Sequence, residues 1–237
     1  NIVHSITFNT TKLQDSSSVN YIEFNSKYIQ CSSASEKIVA DFNNDDYLDV
    51  LSLGGANNCH PDYTDTNLPL ELNLYDAGDY IYQDTNIPYG SKHVNVVDID
   101  NDNDLDIVMS NGKIGVNDGQ AKFTTVTYDA INPDLDYFFS FDWNQDGLID
   151  IVTLDSIYLN EVGLSFNKIE NSNALNSDYY AVANLDADGV PDMLVVNNGQ
   201  LHSWINNGKG QLSLLTSLNL DINYTKIKAI DLNSDGA

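Results

Sequence analysis

The sequence predicts an all-β fold, a β-propeller of four-stranded blades, and three repeated features support this prediction. An acidic nine-residue loop recurs along the chain, an apolar β-prone run follows each complete loop, and a turn rich in Asn, Asp and Gly follows each run. The loops begin at residues 41, 98, 142, 184 and 231, so the repeats are 42 to 57 residues long. Repeats of about 40–50 residues are typical of propeller blades. We therefore expect four complete repeats and a partial fifth, with about four strands in each complete repeat.

The apolar runs predict one strand directly after each loop. These runs lie at residues 50–51, 107–109, 151–152 and 193–196. They are short, rich in β-branched side chains and bounded by turn residues, which is typical of strands. The later turns lie at residues 74–78, 116–119, 159–163 and 204–208. Each places Asn, Asp or Gly after an apolar stretch and predicts a hairpin.

We expect one domain over residues 1–237. Its repeats are predicted at 31–93, 94–137, 138–179 and 180–226, followed by a truncated repeat at 227–237. The first repeat is longer than the others, and its extra residues are expected at 55–69. Residues 1–30 lack the loop but contain two β-like stretches. With 237 residues and 42% hydrophobic content, the chain can bury a sizeable core and does not have the composition of a disordered segment.

The acidic loops have the oxygen spacing of a calcium site, with oxygen-bearing side chains at positions 1, 3, 5 and 9. Ca²⁺ binds about six to eight oxygens, and alternate residues of a tight loop can direct them to one centre. Position 7 would add its main-chain carbonyl, and position 6 holds Gly, Asp or Asn, which tolerate left-handed backbone. The candidate ligands, loop by loop, are Asp41, Asn43, Asp45, Tyr47 and Asp49; Asp98, Asp100, Asp102, Asp104 and Asp106; Asp142, Asn144, Asp146, Leu148 and Asp150; Asn184, Asp186, Asp188, Val190 and Asp192; and Asp231, Asn233 and Asp235.

A solvated turn and an EF-hand are two other interpretations of the loops. A single acidic loop is equally consistent with a solvated turn, but four complete copies in register favour metal binding. Two carboxylates about 4 Å apart repel by about 4 kcal/mol at an effective dielectric of ~20, and a cation removes that cost. An EF-hand is excluded, because that motif needs a Glu at position 12 and flanking helices. Position 12 is Ser52, Met109, Thr153 or Val195 in the four complete loops.

The composition limits the partners. The formal net charge is −25, and 17 of the 35 acidic residues lie in the five loops, where cations would neutralise them. The ten basic residues are all Lys, so bidentate Arg contacts are absent and the acidic field disfavours nucleic acid. No apolar stretch of about 18 residues predicts membrane insertion. Cys31 and Cys59 either form a disulfide or are unrelated thiols.

With these motifs the chain resembles the FG-GAP (VCBS-type) repeat family, which forms the propeller blades of integrin α-subunits and their bacterial relatives. The loop pattern, the Asp-Val or Asp-Ile-Val strand after it and the later Asn-x-Gly turn carry the resemblance over residues 33 to 237. It implies a β-propeller with structural Ca²⁺ in the loop between the first two strands of a blade. The repeats would then belong to a larger ring, such as a seven-bladed one. Either the native chain continues beyond Ala237, which we expect, or residues 1–30 complete a composite blade.

The resemblance and the loops together predict a calcium-stabilised binding or adhesion module, secreted or at the cell surface. The expected partner is a protein or a glycan, and the oligomeric state is left open. The alternative is a catalytic or non-catalytic part of a polysaccharide-degrading enzyme, such as a lyase or hydrolase. No recognised catalytic motif supports that alternative. Tyr63, in the predicted insert, is the candidate ligand contact, because functional residues concentrate on long loops of rigid scaffolds.

Overall fold

The computed structural model describes residues 36–53, 69–88, 91, 93–128, 138–153, 155–162, 164–170, 179–220, 227 and 229. These residues form sixteen β-strands in four antiparallel sheets of four strands, consistent with propeller blades. The prediction of an all-β fold of four-stranded units is therefore confirmed. Cys31, Cys59, Tyr63 and the fifth loop lie outside the described residues. No helix within the described ranges is long and apolar enough to cross a membrane.

Each sheet is a meander in which strands follow one another in chain order. Sheet 1 contains β1 (Glu36–Ala40), β2 (Asp49–Leu53), β3 (Pro69–Asp76) and β4 (Asp79–Pro88). Sheet 2 contains β5 (Val94–Val97), β6 (Asp106–Met109), β7 (Lys113–Asn117) and β8 (Phe123–Thr127). Sheet 3 contains β9 (Phe139–Phe141), β10 (Asp150–Val152), β11 (Ser156–Glu161) and β12 (Ser165–Glu170). Sheet 4 contains β13 (Tyr179–Ala183), β14 (Asp192–Asn197), β15 (Gln200–Asn206) and β16 (Leu212–Asn219).

The acidic loop connects the first two strands of every sheet. The register pairs the residue before loop position 1 with the Asp at position 9: Ala40 with Asp49, Val97 with Asp106, Phe141 with Asp150, and Ala183 with Asp192. Position 9 is therefore the first residue of the second strand. This places one carboxylate at the base of each loop, at the same point of each sheet.

The apolar core lies between neighbouring sheets. In sheet 2, Ile107 and Met109 belong to a cluster with Leu51 of sheet 1, whereas Val108 belongs to a cluster with Ile151 of sheet 3. Successive residues of a strand point to opposite faces, so a strand covered on both faces needs an unbroken apolar run. This explains why the runs after the loops are continuous and do not alternate with polar residues.

Aromatic side chains reinforce each junction between sheets. The ring centroids lie 6.1 Å apart for Phe42 and Phe123, 5.0 Å apart for Tyr128 and Phe166, and 5.3 Å apart for Phe139 and Tyr180. All three pairs meet edge to face, the arrangement that aromatic quadrupoles favour. The three junctions are thus built in the same way, with apolar strand residues at the centre and an aromatic pair across the gap.

Candidate metal centre

Two left-handed residues shape each acidic loop. Position 6 is left-handed throughout, with φ of 68° at Asp46, 74° at Asn103, 88° at Gly147 and 85° at Gly189. Position 4 is left-handed as well, with φ of 59° at Asn44, 65° at Asn101, 61° at Gln145 and 65° at Ala187. The sequence indicated the first bend through its Gly, Asp and Asn residues. It indicated the second only in loops 1 and 2, where position 4 is Asn, since the Gln and Ala of loops 3 and 4 have no preference for this conformation.

The carboxylate at position 1 is held by main-chain N–H groups of its own loop. In loop 3, Asp146 N donates to Asp142 Oδ1 at 3.1 Å and Gly147 N donates to Asp142 Oδ2 at 2.9 Å. Leu148 N then donates to Asp146 Oδ1 at 2.9 Å. Loops 1 and 2 repeat this set of bonds. These local side-chain-to-backbone bonds wrap the loop around its acidic side chains.

The Asp at position 9 is fully buried in every described loop. Its two oxygens accept different main-chain N–H groups: in sheet 2, Ile99 N donates to Asp106 Oδ2 at 2.9 Å and Asn117 N donates to Asp106 Oδ1 at 2.8 Å. The first donor is loop position 2, and the second is the last residue of the third strand. Asp49, Asp150 and Asp192 make the equivalent pairs of bonds. This carboxylate therefore joins the loop to the hairpin of the same sheet.

Burial changes the acidity of these carboxyl groups. Desolvation raises the pKa of Asp106 from 3.8 to about 6 and that of Asp150 likewise to about 6, although the two main-chain hydrogen bonds oppose the rise. Burial also raises the pKa of Asp49 and Asp192. A group whose charged form is destabilised in this way gains from a bound cation, which restores the favourable environment that water provided.

Loop 2 brings three carboxylates together. One carboxylate oxygen from each of Asp98, Asp100 and Asp106 lies within 4.8 Å of the others, the only such acidic group among the described residues. Asp100 Oδ1 is buried and, in the described part of the chain, has no hydrogen-bond partner. Burial, followed by the charge of Asp102, raises the pKa of Asp100. An unsatisfied buried oxygen beside two further carboxylates fits a metal cation, so this cluster could hold one.

The other loops differ from loop 2 in their donor atoms. Position 3 is Asn in loops 1 and 3, where Asn43 and Asn144 donate from Nδ2 to the position-5 carboxylates at 3.0 Å and 2.9 Å. Position 1 of loop 4 is Asn184. Only loop 2 therefore carries a carboxylate at positions 1, 3, 5 and 9. This composition explains why three carboxylates converge there and why the other loops would depend more on amide and main-chain oxygens.

The remaining candidate ligands occupy consistent places. The position-5 side chains are exposed in all four loops: Asp45, Asp102, Asp146 and Asp188. Position 7 varies from exposed to buried, in the order Tyr47, Asp104, Leu148 and Val190. The side chain of Asn44 donates to Asp104 Oδ1, so loops 1 and 2 are in contact. Gln145 Nε2 donates to Gly189 O at 3.5 Å and connects loops 3 and 4.

A buried Asn connects each of sheets 2 to 4 to the loop of the preceding sheet. The side-chain amides of Asn117, Asn160 and Asn206 donate to Phe42 O at 2.8 Å, Ile99 O at 2.7 Å and Trp143 O at 2.8 Å. Each acceptor is position 2 of the preceding loop. The main-chain N–H of the same Asn bonds to the position-9 Asp of its own sheet. We call this residue the Asn bracket; the sequence predicts it only as part of a turn.

The described tryptophan and histidine residues pack against, or lie within hydrogen-bond distance of, neighbouring side chains. Trp143 is fully buried in the cluster between sheets 3 and 4, and Trp204 packs against that cluster. His202 Nδ1 lies 2.8 Å from Ser217 Oγ, and the two residues are register partners on β15 and β16. His93 packs edge-on against Phe138.

Comparison with known proteins agrees with the fold and with the motif. Residues 184–237 match the FG-GAP-like repeat family, which confirms the resemblance in that segment. The structure is similar to that of an Agrocybe aegerita lectin described as specifically recognising non-reducing terminal N-acetylglucosamine, with a TM-score of 0.54 and 16% sequence identity. The match covers 75% of this chain and 50% of that chain, so this chain corresponds to about half of that lectin's length. At this identity the likeness shows a shared fold. None of the curated proteins matches the chain.

Proposed function

We propose that this chain, which contains an FG-GAP-like repeat at residues 184–237, is an extracellular, calcium-stabilised and non-catalytic module that binds a glycan. The observation that supports glycan binding is the likeness of the four-sheet fold to an N-acetylglucosamine-binding lectin. The net charge of −25 and the absence of Arg weigh against nucleic acid as the alternative ligand. A polysaccharide-degrading activity has no comparable observation in its favour.

Calcium is the cation that best suits the donor atoms of the loops. The candidate ligands are carboxylate, amide and main-chain oxygens, and hard oxygen donors select Ca²⁺, Mg²⁺ or Mn²⁺ over zinc or copper. Ca²⁺ accepts irregular sets of six to eight oxygens, whereas Mg²⁺ demands a near-ideal octahedron. In loop 2 the side chains that would hold the ion are those of Asp98, Asp100, Asp102 and Asp106. A bound ion would neutralise these carboxylates and stabilise the loop.

The stabilising role implies an environment rich in calcium. Weak loop sites with a Kd of about 10⁻⁴–10⁻³ M are filled outside cells and remain empty in the cytosol. At about 100 times its Kd, a ligand adds about 2.7 kcal/mol to the free energy of unfolding for each independent site. Several such sites in one domain would make its stability depend on calcium. This supports a secreted or surface location.

Thermal melting with and without calcium tests the metal part of this proposal. We expect the melting temperature to rise steeply between a chelated sample and one in several millimolar CaCl₂, and to rise much less in MgCl₂. Isothermal titration calorimetry on the chelated protein should detect binding of Ca²⁺. Identical melting curves in all three buffers would show that the loops are simply solvated turns.

A glycan array tests the binding part. The full chain, held in calcium, would be screened against immobilised neutral, sialylated and uronate-containing saccharides, with N-acetylglucosamine-terminated glycans included. Binding to a defined subset that free saccharide inhibits is the expected result. Release of shortened products from soluble polysaccharide would instead favour the enzyme alternative, and a silent array would overturn the assignment of a glycan ligand.

A further inference from the structure

The four described loops are joined through the Asn brackets in one series of buried hydrogen bonds. We propose that the brackets Asn117, Asn160 and Asn206 are positioning residues that couple the calcium sites, so that neighbouring loops bind Ca²⁺ cooperatively. The proposal rests on the calcium binding proposed above. It goes beyond that function, because loops that bound calcium independently would also stabilise the chain.

The series passes through the position-9 carboxylate of every described loop. From loop 1, Phe42 N donates to Asp49 Oδ2 at 2.9 Å, and Phe42 O accepts from Asn117 Nδ2 at 2.8 Å. Asn117 N then donates to Asp106 Oδ1 of loop 2 at 2.8 Å. The same steps lead on through Ile99, Asn160, Asp150, Trp143, Asn206 and Asp192. Every member of the series is buried, where such bonds are stronger than in water and reinforce one another.

The place of the bracket explains how one loop acts on the next. In loop 2, Ile99 lies between the candidate ligands Asp98 and Asp100, so closure of these two carboxylates around an ion also fixes Ile99. The side chain of Asn160 is bonded to Ile99 O, and its main-chain N–H is bonded to Asp150 Oδ1 of loop 3. An ordered loop 2 therefore holds the position-9 ligand of loop 3 in place. Two sites that share an ordering step in this way raise each other's affinity by the same factor.

The junction of loops 2 and 3 isolates the contribution of the bracket. The position-4 side chains Asn44 and Gln145 also connect loop 1 to loop 2 and loop 3 to loop 4 directly. In the described part of the chain, no side chain of loop 2 donates to loop 3 or accepts from it, so Asn160 is the hydrogen-bonded link between these two loops. Loop 2 also contains the three converging carboxylates. A change at Asn160 should therefore separate a well-defined candidate site from its neighbour.

Trp143 provides a reporter for loop 3, because it occupies position 2 of that loop and is fully buried. The chain contains two tryptophans. In the described part, Trp204 Nε1 makes no hydrogen bond, so Trp204→Phe removes the second indole without the loss of one. Fluorescence of this single-tryptophan chain, titrated with CaCl₂ from a chelated start, gives the calcium midpoint of loop 3.

A double-mutant cycle in this background provides the test. Asp100→Asn weakens the site in loop 2, and Asn160→Ala removes the bracket between loops 2 and 3. Glu161→Gln controls for the lost charge, and Asn167→Ala controls for the lost amide, because both residues are exposed on sheet 3. Each variant would first be melted in saturating calcium to establish that it folds. Asn160→Ser, which leaves a smaller cavity, replaces Asn160→Ala if the latter does not fold.

We expect Asp100→Asn and Asn160→Ala each to raise the calcium midpoint reported by Trp143 by about fivefold or more. In the Asn160→Ala background, Asp100→Asn should cause no further rise, and the two controls should leave the midpoint unchanged. A bracket with only a structural role would lower the melting temperature and would not change the effect of Asp100→Asn on Trp143.

Three results would contradict the coupling. A midpoint that Asp100→Asn does not move would mean that loops 2 and 3 bind calcium independently. A shift that persists without the Asn160 amide would mean that the effect is transmitted by the charge of loop 2 and does not pass through the bracket. In both cases calorimetry would still detect calcium, and the proposed function would stand. A chain that binds no calcium in calorimetry would overturn the coupling and the calcium-stabilised function together.

Discussion

The side-chain amide of Asn206 donates a hydrogen bond of 2.8 Å to the main-chain carbonyl of Trp143, 63 residues earlier in the chain. The main-chain N–H of Asn206 donates to Asp192 Oδ1, also at 2.8 Å. One residue therefore contacts loop 3 with its side chain and loop 4 through its backbone. Asn117 and Asn160 repeat this at the other two junctions, so the four described loops form a continuous hydrogen-bonded series.

Removal of one bracket should weaken one junction. Asn206→Ala leaves the buried carbonyl of Trp143 without its amide donor, a change that costs about 1–3 kcal/mol of the free energy of unfolding. We expect a lower denaturant midpoint in urea, followed by tryptophan fluorescence, because Trp143 lies at this junction. Asn167→Ala, on the exposed side of β12, is the control and should unfold with the unsubstituted chain. An unchanged midpoint for Asn206→Ala would show that the bracket contributes little.

The carboxylate cluster of loop 2 should have opposite effects on stability with and without metal. Asp100→Asn removes one charge from a group of three, which relieves repulsion in calcium-free buffer and weakens calcium binding. The expected result is a melting temperature above that of the unsubstituted chain in chelator and below it in millimolar calcium. Glu161→Gln, an exposed carboxylate on sheet 3, controls for the change in net charge. The same shift in both buffers would contradict a metal site at Asp100.

Acid should stabilise the calcium-free protein over a limited range of pH. The pKa values of Asp106 and Asp150 are raised from 3.8 to about 6, so between these values the folded state binds protons that the unfolded state releases. Stability contributed by this difference is fully present below about pH 4 and is lost as the pH rises through 6. In calcium-free buffer the melting temperature should therefore be higher at pH 5 than at pH 7, and Asp106→Asn should reduce that difference. Excess calcium should reverse the trend, because it binds the charged form.

The contact between sheets 1 and 2 leaves no room for a methyl group at Gly115. A Cβ there would overlap Ile87 Cδ1, and Ile87 is fully buried. Overpacking of this kind costs about 1–3 kcal/mol, so Gly115→Ala should lower the melting temperature. Ile87→Val removes the overlapping atom, and the double variant should be more stable than the sum of the two single losses predicts. Strict additivity in that double-mutant cycle would mean that the two residues do not meet as described.

The parts of the fold that depend on residues close together in the chain could be predicted from the sequence. The acidic loops and the strands after them are local patterns: Asp142 bonds to groups four and five residues away, and the run at 151–152 is apolar because both faces of its strand are covered. Asp150 was expected as a ligand at position 9. The burial of Asp150 and the hydrogen bond that it accepts from Asn160 N depend on the third strand of the sheet. The residue spacing within the loop does not predict the position of that strand.

The long-range parts could not be predicted in this way. The acceptor of the Asn117 side chain is 75 residues away in the chain, and an Asn in a turn-rich segment has an ordinary explanation as a turn former. Tyr75 is predicted only as part of the turn at 74–78, and its ring contact with Tyr47 of loop 1 follows from the fold.

The shared Asn bracket of the three junctions has an evolutionary consequence. Sheets 2 to 4 each present an apolar face and a bracket amide to the preceding sheet, so these three units carry compatible joints. Duplication or loss of a whole unit by unequal recombination would create no new interface that selection must optimise. Arrays of this kind can therefore change in length while each joint keeps its chemistry.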